Sequence, residues 1–376
     1  MSERIAIFLP SLTGGGAERM AVRLANEFSS RGFEIHLVLA NNEGPYSSSV
    51  SDNIEVFDLN AIQLPGYRMM GSLPSLIQYL NDSTPDVLLS LMTHTNIVAL
   101  LAKRFVKHNQ RVVVSERNHL AEKVSGSDSL LTNFLPPLVR ITYRDADHII
   151  PISNGVAESL VTTCDLSTSN MTVIYNPAYS PEILRKSQKS TDHKWLVNDE
   201  YATILGVGRL TKQKNFAYLI KAFRRIRDQN ERTRLIILGE GSQRNALSSL
   251  IGKYSLEEYV DLPGFVENPF KYMAGADVFV LSSLWEGFGN VIVESLACGT
   301  PVVSTDCPSG PAEILNNGEF GNLVPMNDHQ VLAEEIIQSL NEETPAELLQ
   351  TRAMDFSIGN VSNEYLPILL NTNDYT

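Results

Sequence analysis

SLWEGFGNVIVESLACGTPVV, residues Ser283 to Val303, reads as the end of a buried strand, a glycine loop, and a helix that starts near Asn290 and stops before Gly299 and Pro301. Two carboxylates lie in it, Glu286 in the loop and Glu294 inside the helix with seven residues between them, so both can face one pocket from different heights. Gly287 and Gly289 carry no Cβ, which lets backbone N–H groups approach an anion. The start of the helix at Asn290 and Val291 adds unpaired donors and a favourable dipole. A phosphate fits such a place. Glu286 would accept hydrogen bonds from hydroxyls on one side of it, and Glu294 from a second hydroxyl-bearing ring on the other. Sugar, phosphate and ribose in that order describe a nucleotide sugar.

The bulk of the chain sets limits on this reading. At 376 residues and 43% hydrophobic content it is long for one core and ordinary for two domains. A formal charge of −13 and a pI near 5.1 argue against nucleic acid as a partner, because an acidic surface repels phosphate backbones. Cys164, Cys298 and Cys307 lack the CxxC or Cys/His spacing of a metal site, and a reducing cytoplasm is the natural compartment; the expectation is that the chain needs no metal or other cofactor. Arg4 is followed by IAIFLP, too short for a signal-peptide core and stopped by Pro10. No apolar run approaches the roughly 20 residues of a membrane span. The expectation is a soluble or peripheral protein.

Short runs of Ile, Val and Leu alternate with helical periodicity throughout, the pattern of doubly wound α/β folds with parallel sheets covered on both faces. Arg4 to Leu9 is the first strand, and Gly14, Gly15 and Gly16 then open a helix with Met20, Leu24 and Phe28 on one side. A dinucleotide-binding loop competes for this stretch and fails. With Gly14 and Gly16 as the first pair, the third glycine position holds Arg19, and the next strand ends in Asn41 rather than an acid. Further strands are expected at Ile54–Phe57, Asp86–Leu91, Arg111–Ser115, His148–Ile152 and Met171–Ile174. Helices are expected at Asn96–Lys107 and, less regularly, within Leu130–Tyr143. SERNHL, Ser115 to Leu120, follows a strand directly and so places Glu116, Arg117, Asn118 and His119 at the carboxyl rim where open α/β sheets bind ligands.

Residues 100 to 145 hold eight Lys or Arg against four acids, interleaved with apolar residues as in NFLPPLVRITYR, Asn133 to Arg144. That mixture suits an anionic membrane surface or a pyrophosphate lipid. Asp145-Ala-Asp147 spells a literal DxD with no partner acids nearby, and is read as a helix end and strand entry rather than a metal motif. Ala178 to Glu200 is polar with weak periodicity, which is linker composition. ATILGVGRL starts a second sheet, and TKQKNFAYLIKAFRRI follows with Phe216, Leu219, Ile220, Phe223 and Ile226 at helical spacing and Asn215 as a cap. Arg209 and Lys214, five apart at the strand exit, are two cations able to neutralise a diphosphate leaving group. LIILGEG, with Gly239 to Gly241 at its carboxyl end, and YVDLPGFV continue this sheet.

EGFGNVIVE, with WEGFG before it and SLACGTPVV after it, resembles the E-x7-E signature of retaining glycosyltransferases of the family 4 type. GGAER and GRL-x3-K are similar to further family motifs, and the likeness covers nearly the whole chain. It implies the GT-B architecture, two Rossmann-like domains facing across a cleft. Residues 1–178 would form the acceptor-binding domain, completed by a C-terminal helix within 357–376, and residues 179–356 the nucleotide-sugar domain. It further implies catalytic roles for Glu286, Arg209, Lys214 and His119. Donor contacts would come from Gly15, Gly16, Gly208, Glu240, Gly264, Phe265, Gly287, Phe288, Gly289, Asn290, Val291 and Glu294, and acceptor contacts from Glu18, Arg117 and Asn118. The activity implied is metal-independent transfer of a hexose or N-acetylhexosamine from a nucleoside diphosphate, UDP first, with a donor phosphate oxygen taking the acceptor proton. Domain closure would exclude water. GGAER, SERN and CPSGP together look like bacterial-type enzymes that extend prenyl-diphosphate-linked glycans at the cytoplasmic membrane face. The competing readings are a nucleotide-sugar epimerase or sucrose-type synthase on the same fold, and a non-catalytic nucleotide-sugar-binding subunit.

Overall fold

A computed structural model describes residues 3–13, 15–62, 68–125, 130–198 and 200–371. The chain divides into two compact units, Met1–Pro177 with Ile358–Thr376, and Ala178–Ser357.

In the first unit, β1 (Arg4–Leu9), β2 (Glu34–Leu39), β3 (Glu55–Asp58), β4 (Val87–Leu91), β5 (Arg111–Glu116) and β6 (His148–Pro151) form a parallel sheet in the order β3-β2-β1-β4-β5-β6. Successive side chains of a strand point to opposite faces, and both faces here are covered by helices. Ala6, Phe8, Leu88, Val112 and Val114 accordingly enter one core, and Ile5, Ile7, Val87, Leu89 and Val113 the other. This is why β1, β2, β4 and β5 read as largely apolar runs, whereas the edge strand β3 is mostly exposed. The helix Ile358–Leu370 belongs to this unit and buries Val361, Tyr365 and Leu369 in the second core. Arg31 Nη1 donates to Asn363 Oδ1 at 2.6 Å and Arg111 Nη2 to the Ile368 carbonyl at 2.7 Å.

The expected strand at Met171–Ile174 does not form. Met171 makes a single bridge to Ile149, and the N–H groups of Thr172 and Ile174 reach the carbonyls of Ile149 and Pro151 at 3.1 and 3.0 Å. Pro151 has no N–H to return the bond, so the ladder stops there. The Leu130–Tyr143 region divides into helices Leu130–Asn133 and Leu135–Tyr143.

In the second unit, β7 (Ala202–Val207), β8 (Thr233–Leu238), β9 (Val260–Gly264), β10 (Val278–Leu281), β11 (Val302–Thr305) and β12 (Asn322–Val324) pair in parallel as β12-β11-β10-β7-β8-β9. Each sheet thus follows the doubly wound order 3-2-1-4-5-6, with its switch between β1 and β4 or between β7 and β10. The helix Phe216–Gln229 buries the apolar stripe its spacing predicts. Asn215 before it takes a left-handed φ of 47° and makes no side-chain cap bond, so it serves the turn and does not act as the expected cap.

Candidate active site

The switch point of the second sheet joins two loops that lie 72 residues apart in sequence. One leaves β7 and the other leaves β10. Leu284 N donates to Gln213 O at 2.8 Å, Gln213 Nε2 to Trp285 O at 2.8 Å, and Ser282 Oγ to Lys214 O at 2.8 Å. These bonds bring Lys214 Nζ to 2.6 Å from Glu286 Oε1, and Ser283 Oγ donates to the same oxygen at 2.5 Å. The two charged side chains are only 13% and 8% exposed. Charges can be sheltered this far because each cancels the other at hydrogen-bonding distance. A Cβ on Gly208 would sit 3.2 Å from Lys214 Cε, so the glycine leaves room for the lysine stem.

Beyond Glu286 the chain turns through Gly289, whose φ of +98° favours a residue without Cβ, into the helix Asn290–Ala297. No side chain caps this helix. Asn290 and Val291 are half-exposed, while Ile292 to Ala297 are buried. Glu294 faces inward from the second turn at 7% exposure. Burial raises the Cys298 thiol to about 12, with the Glu294 charge adding to it, and raises Cys307 to about 12, with Glu286 adding. Gly310 supports the loop from behind. Its φ is +92°, and a Cβ there would lie 1.7 Å from the Phe288 carbonyl oxygen.

The neighbouring strand ends are bonded edge to edge: Gly208 N to Leu238 O at 3.0 Å, Leu210 N to Glu240 O at 2.9 Å, and Gly239 N to Gly264 O at 2.8 Å. Gly208, Arg209, Glu240, Gly264, Phe265 and the Glu286–Asn290 loop therefore share the carboxyl edge of this sheet. Arg209 is exposed, and among the described residues nothing pairs with its guanidinium. Phe265 is 80% exposed. Glu240 pairs with Arg244 at 2.7 Å.

The expected site residues differ in their surroundings. Lys214 is bound to Glu286, while Arg209 is exposed. Phe288 is a core residue, its ring 5.5 Å from that of Phe356, so only its backbone borders the loop. Sequence reasoning missed Ser283, Gln213 and Gly310. A serine three residues before the loop acid was the available signal for the first, and the PSGP turn for the last.

In the first unit Gly15 is the N-cap of the helix Gly16–Ser30 and Glu18 lies in its first turn. Gly14 lies outside the described residues. Glu116 does not project from the rim as expected. It is fully buried and accepts from Thr93 Oγ1 at 2.8 Å, the Arg117 and Asn118 N–H groups at 3.0 Å each, and Tyr143 Oη at 2.6 Å. Its carboxylate fixes the loop that carries Arg117, Asn118 and His119. His119 Nδ1 accepts from Glu122 N at 3.4 Å, and burial lowers its imidazole pKa below 6.5.

The basic segment is less free than its composition suggests. Lys103 pairs with Asp147 at 2.6 Å, Arg104 with Asp145 at 2.5 Å, and Arg140 with Asp165 at 2.5 Å, while Arg117 is internal. The two aspartates of the DxD match are thus engaged in ion pairs. Phe134, Leu138 and Ile141 remain outward along the helix Leu135–Tyr143, at 69%, 40% and 57% exposure. Among the described residues no helix is long and apolar enough to cross a membrane.

Comparison with known proteins places both units. A family model described as "Glycosyl transferases group 1" matches residues 187–355, and one described as "Glycosyltransferase Family 4" matches residues 14–178. The chain is 33% identical, over 98% of its own length and all of the relative's, to the N-acetylgalactosamine-N,N'-diacetylbacillosaminyl-diphospho-undecaprenol 4-alpha-N-acetylgalactosaminyltransferase of Campylobacter jejuni. It is 25% identical to the amylovoran biosynthesis glycosyltransferase AmsD of Erwinia amylovora, over 88% of this chain and 87% of that one. Among solved structures, apo lipopolysaccharide outer core galactosyltransferase WaaB superposes with a TM-score of 0.76 at 18% identity, covering 98% of this chain and 99% of its own. Anabaena Alr3699/HepE in complex with UDP and glucose gives 0.76 at 20% identity, covering 98% and 100%. At such identities these structural likenesses speak to the fold.

Proposed function

The chain belongs to the glycosyltransferases of group 1 and family 4, and we propose that it is a retaining, metal-independent member that moves an N-acetylhexosamine or hexose from a nucleoside-diphosphate sugar to a lipid-linked glycan. The observation that carries the reading is the Lys214–Glu286 contact of 2.6 Å beside the uncapped start of the Asn290 helix. The donor diphosphate docks on that helix start, where backbone N–H groups and the dipole favour negative charge. Arg209 stabilises the charge that develops on the leaving diphosphate. Glu286, fixed by Lys214 and Ser283, accepts from sugar hydroxyls, and Glu294 accepts from the ribose. Gly264 and Phe265 border the base. The acceptor hydroxyl attacks from the leaving-group side and passes its proton to a donor phosphate oxygen, so no enzyme nucleophile is required. His119, Asn118, Arg117 and Glu18 serve the acceptor side.

The acceptor class is supported by the diphospho-undecaprenol substrate named for the Campylobacter relative. The N-acetylhexosamine is supported by the N-acetylgalactosamine of the same name. A UDP complex of the same fold makes UDP the first nucleotide to test. Contact with a membrane surface is supported by the outward Phe134, Leu138 and Ile141. A thermal-shift screen of UDP-, GDP- and ADP-sugars tests the donor, with stabilisation by UDP-sugars expected. Labelled donor incubated with a prenyl-diphospho-sugar tests the transfer. Epimerised free sugar in place of an extended acceptor would refute it.

A further inference from the structure

The carboxyl edge of the first sheet holds a cation that is fixed in place without an ion-pair partner. Arg117 is 9% exposed. Its Nη2 donates to Asn176 Oδ1 at 2.7 Å, while Nη1 is buried with no hydrogen-bond partner. A guanidinium withdrawn from water ordinarily sits against a carboxylate, which offsets the loss of hydration and matches its planar fork. The carboxylate next to it, Glu116, is available in position and unavailable in chemistry. Its Oε1 takes the Thr93 hydroxyl and the N–H groups of Arg117 and Asn118, and its Oε2 takes the Tyr143 hydroxyl. A neutral amide orients one edge of the arginine; the carboxylates of Glu116 and Glu18 offset its charge through space without bonding to it, and the Nη1 donor is left unmet. Burial lowers the pKa of this guanidinium, and the phenol of Tyr365, bonded to Ser115 Oγ at 3.4 Å, with the carboxylates of Glu116 and of Glu18 in the first turn of the Gly16–Ser30 helix, acts against that shift. The helix that carries Glu18 begins without a side-chain cap and follows β1, so it opens at the same edge of the parallel sheet as Arg117. The orphaned guanidinium edge matches a phosphoryl oxygen, which would accept from Nη1; the helix start itself is covered by the Glu18 carboxylate, one oxygen of which lies 2.2 Å from where a Cβ on Gly15 would be.

Resting on the reading of a phosphate-bearing transfer, we propose that the free edge of Arg117 is a receptor for a phosphoryl oxygen of a diphosphate substrate. The diphosphate of a lipid-linked acceptor and that of the donor present the same chemistry, and binding distinguishes them. Farnesyl diphosphate, farnesol and UDP are titrated separately against the wild-type chain, Asn176→Asp and Arg117→Lys. Asn176→Asp places a carboxylate where the amide oxygen now accepts. It gives the guanidinium a resident counter-ion, so the melting temperature is held or raised while anion affinity falls. Arg117→Lys removes the planar fork. Both variants are expected to lose at least about tenfold in affinity for the diphosphate that the site receives. Loss confined to farnesyl diphosphate assigns the acceptor, and loss confined to UDP assigns the donor. Wild-type affinity for both ligands in a folded Asn176→Asp variant overturns the proposal. Should the wild-type chain bind farnesyl diphosphate no better than farnesol, the lipid-acceptor reading falls and the UDP titration alone decides the role of Arg117.

Discussion

Glu286→Gln removes one charge from the Lys214–Glu286 pair while keeping an acceptor for Ser283. Lys214 is then left 13% exposed with its counter-ion gone. Breaking a buried pair this way costs about 3 kcal/mol, the lower end of the usual range because some solvent reaches both groups. For a unit the size of Ala178–Ser357 that corresponds to a fall in Tm of roughly 6–12 °C. Lys214→Met should cost a similar amount by leaving the carboxylate unpaired. The double variant removes both charges and should recover about 2 kcal/mol relative to the sum of the single changes. Trp195 and Trp285, the only two tryptophans of the chain, both lie in the second unit. Tryptophan fluorescence during urea unfolding therefore reports this unit alone. Additive single changes, with a coupling near zero, would refute the claim that this contact holds the β7 and β10 loops together.

Gly310→Ala should destabilise the second unit by roughly 2 kcal/mol or more and disturb the glycine loop, since its Cβ would meet the Phe288 carbonyl at a positive φ; an unchanged urea midpoint would contradict this. Burial holds the imidazoles of His36, His119 and His148 below 6.5, so the unfolded chain binds protons first as pH falls. Their contribution to the first unit's stability is complete above about pH 6.5 and declines below it, a trend that circular dichroism melts between about pH 7 and pH 5 should show and His119→Gln should weaken. Cys164 and Cys307 are buried thiols raised to about 12, and maleimide should label them only as the chain unfolds. Phe134→Ser with Ile141→Ser should leave the melting temperature unchanged and reduce sedimentation with anionic vesicles in low salt; wild-type sedimentation would remove this face from the membrane contact.

The stretch from Ser283 to Val303 announced its own strand, loop and helix because each depends on neighbours in sequence: apolar runs, glycines, and a Gly-Thr-Pro stop. Most strands of the two sheets were legible for the same reason, as strands covered on both faces keep no polar side, while the short β11 and β12 were not. Pairings between distant residues were not. Nothing near Lys214 says that it meets Glu286, and nothing in SERNHL says that Glu116 turns inward to Thr93 and Tyr143 while Arg117 turns to Asn176. The basic segment misled for a related reason, since Asp145, Asp147 and Asp165 pair with its cations only after folding. Met171–Ile174 has the composition of a strand, and the missing N–H of Pro151 on its neighbour denies it a ladder.

Transfer itself is the most direct test. A donor labelled in its sugar is incubated with a prenyl-diphospho-sugar, using the wild-type chain and Glu286→Ala at a temperature well below the unfolding midpoint of either. The account predicts that label moves to the acceptor with the anomeric configuration of the donor retained, and that the folded variant transfers none. Label released as free or epimerised sugar, or undiminished transfer by Glu286→Ala, would contradict it.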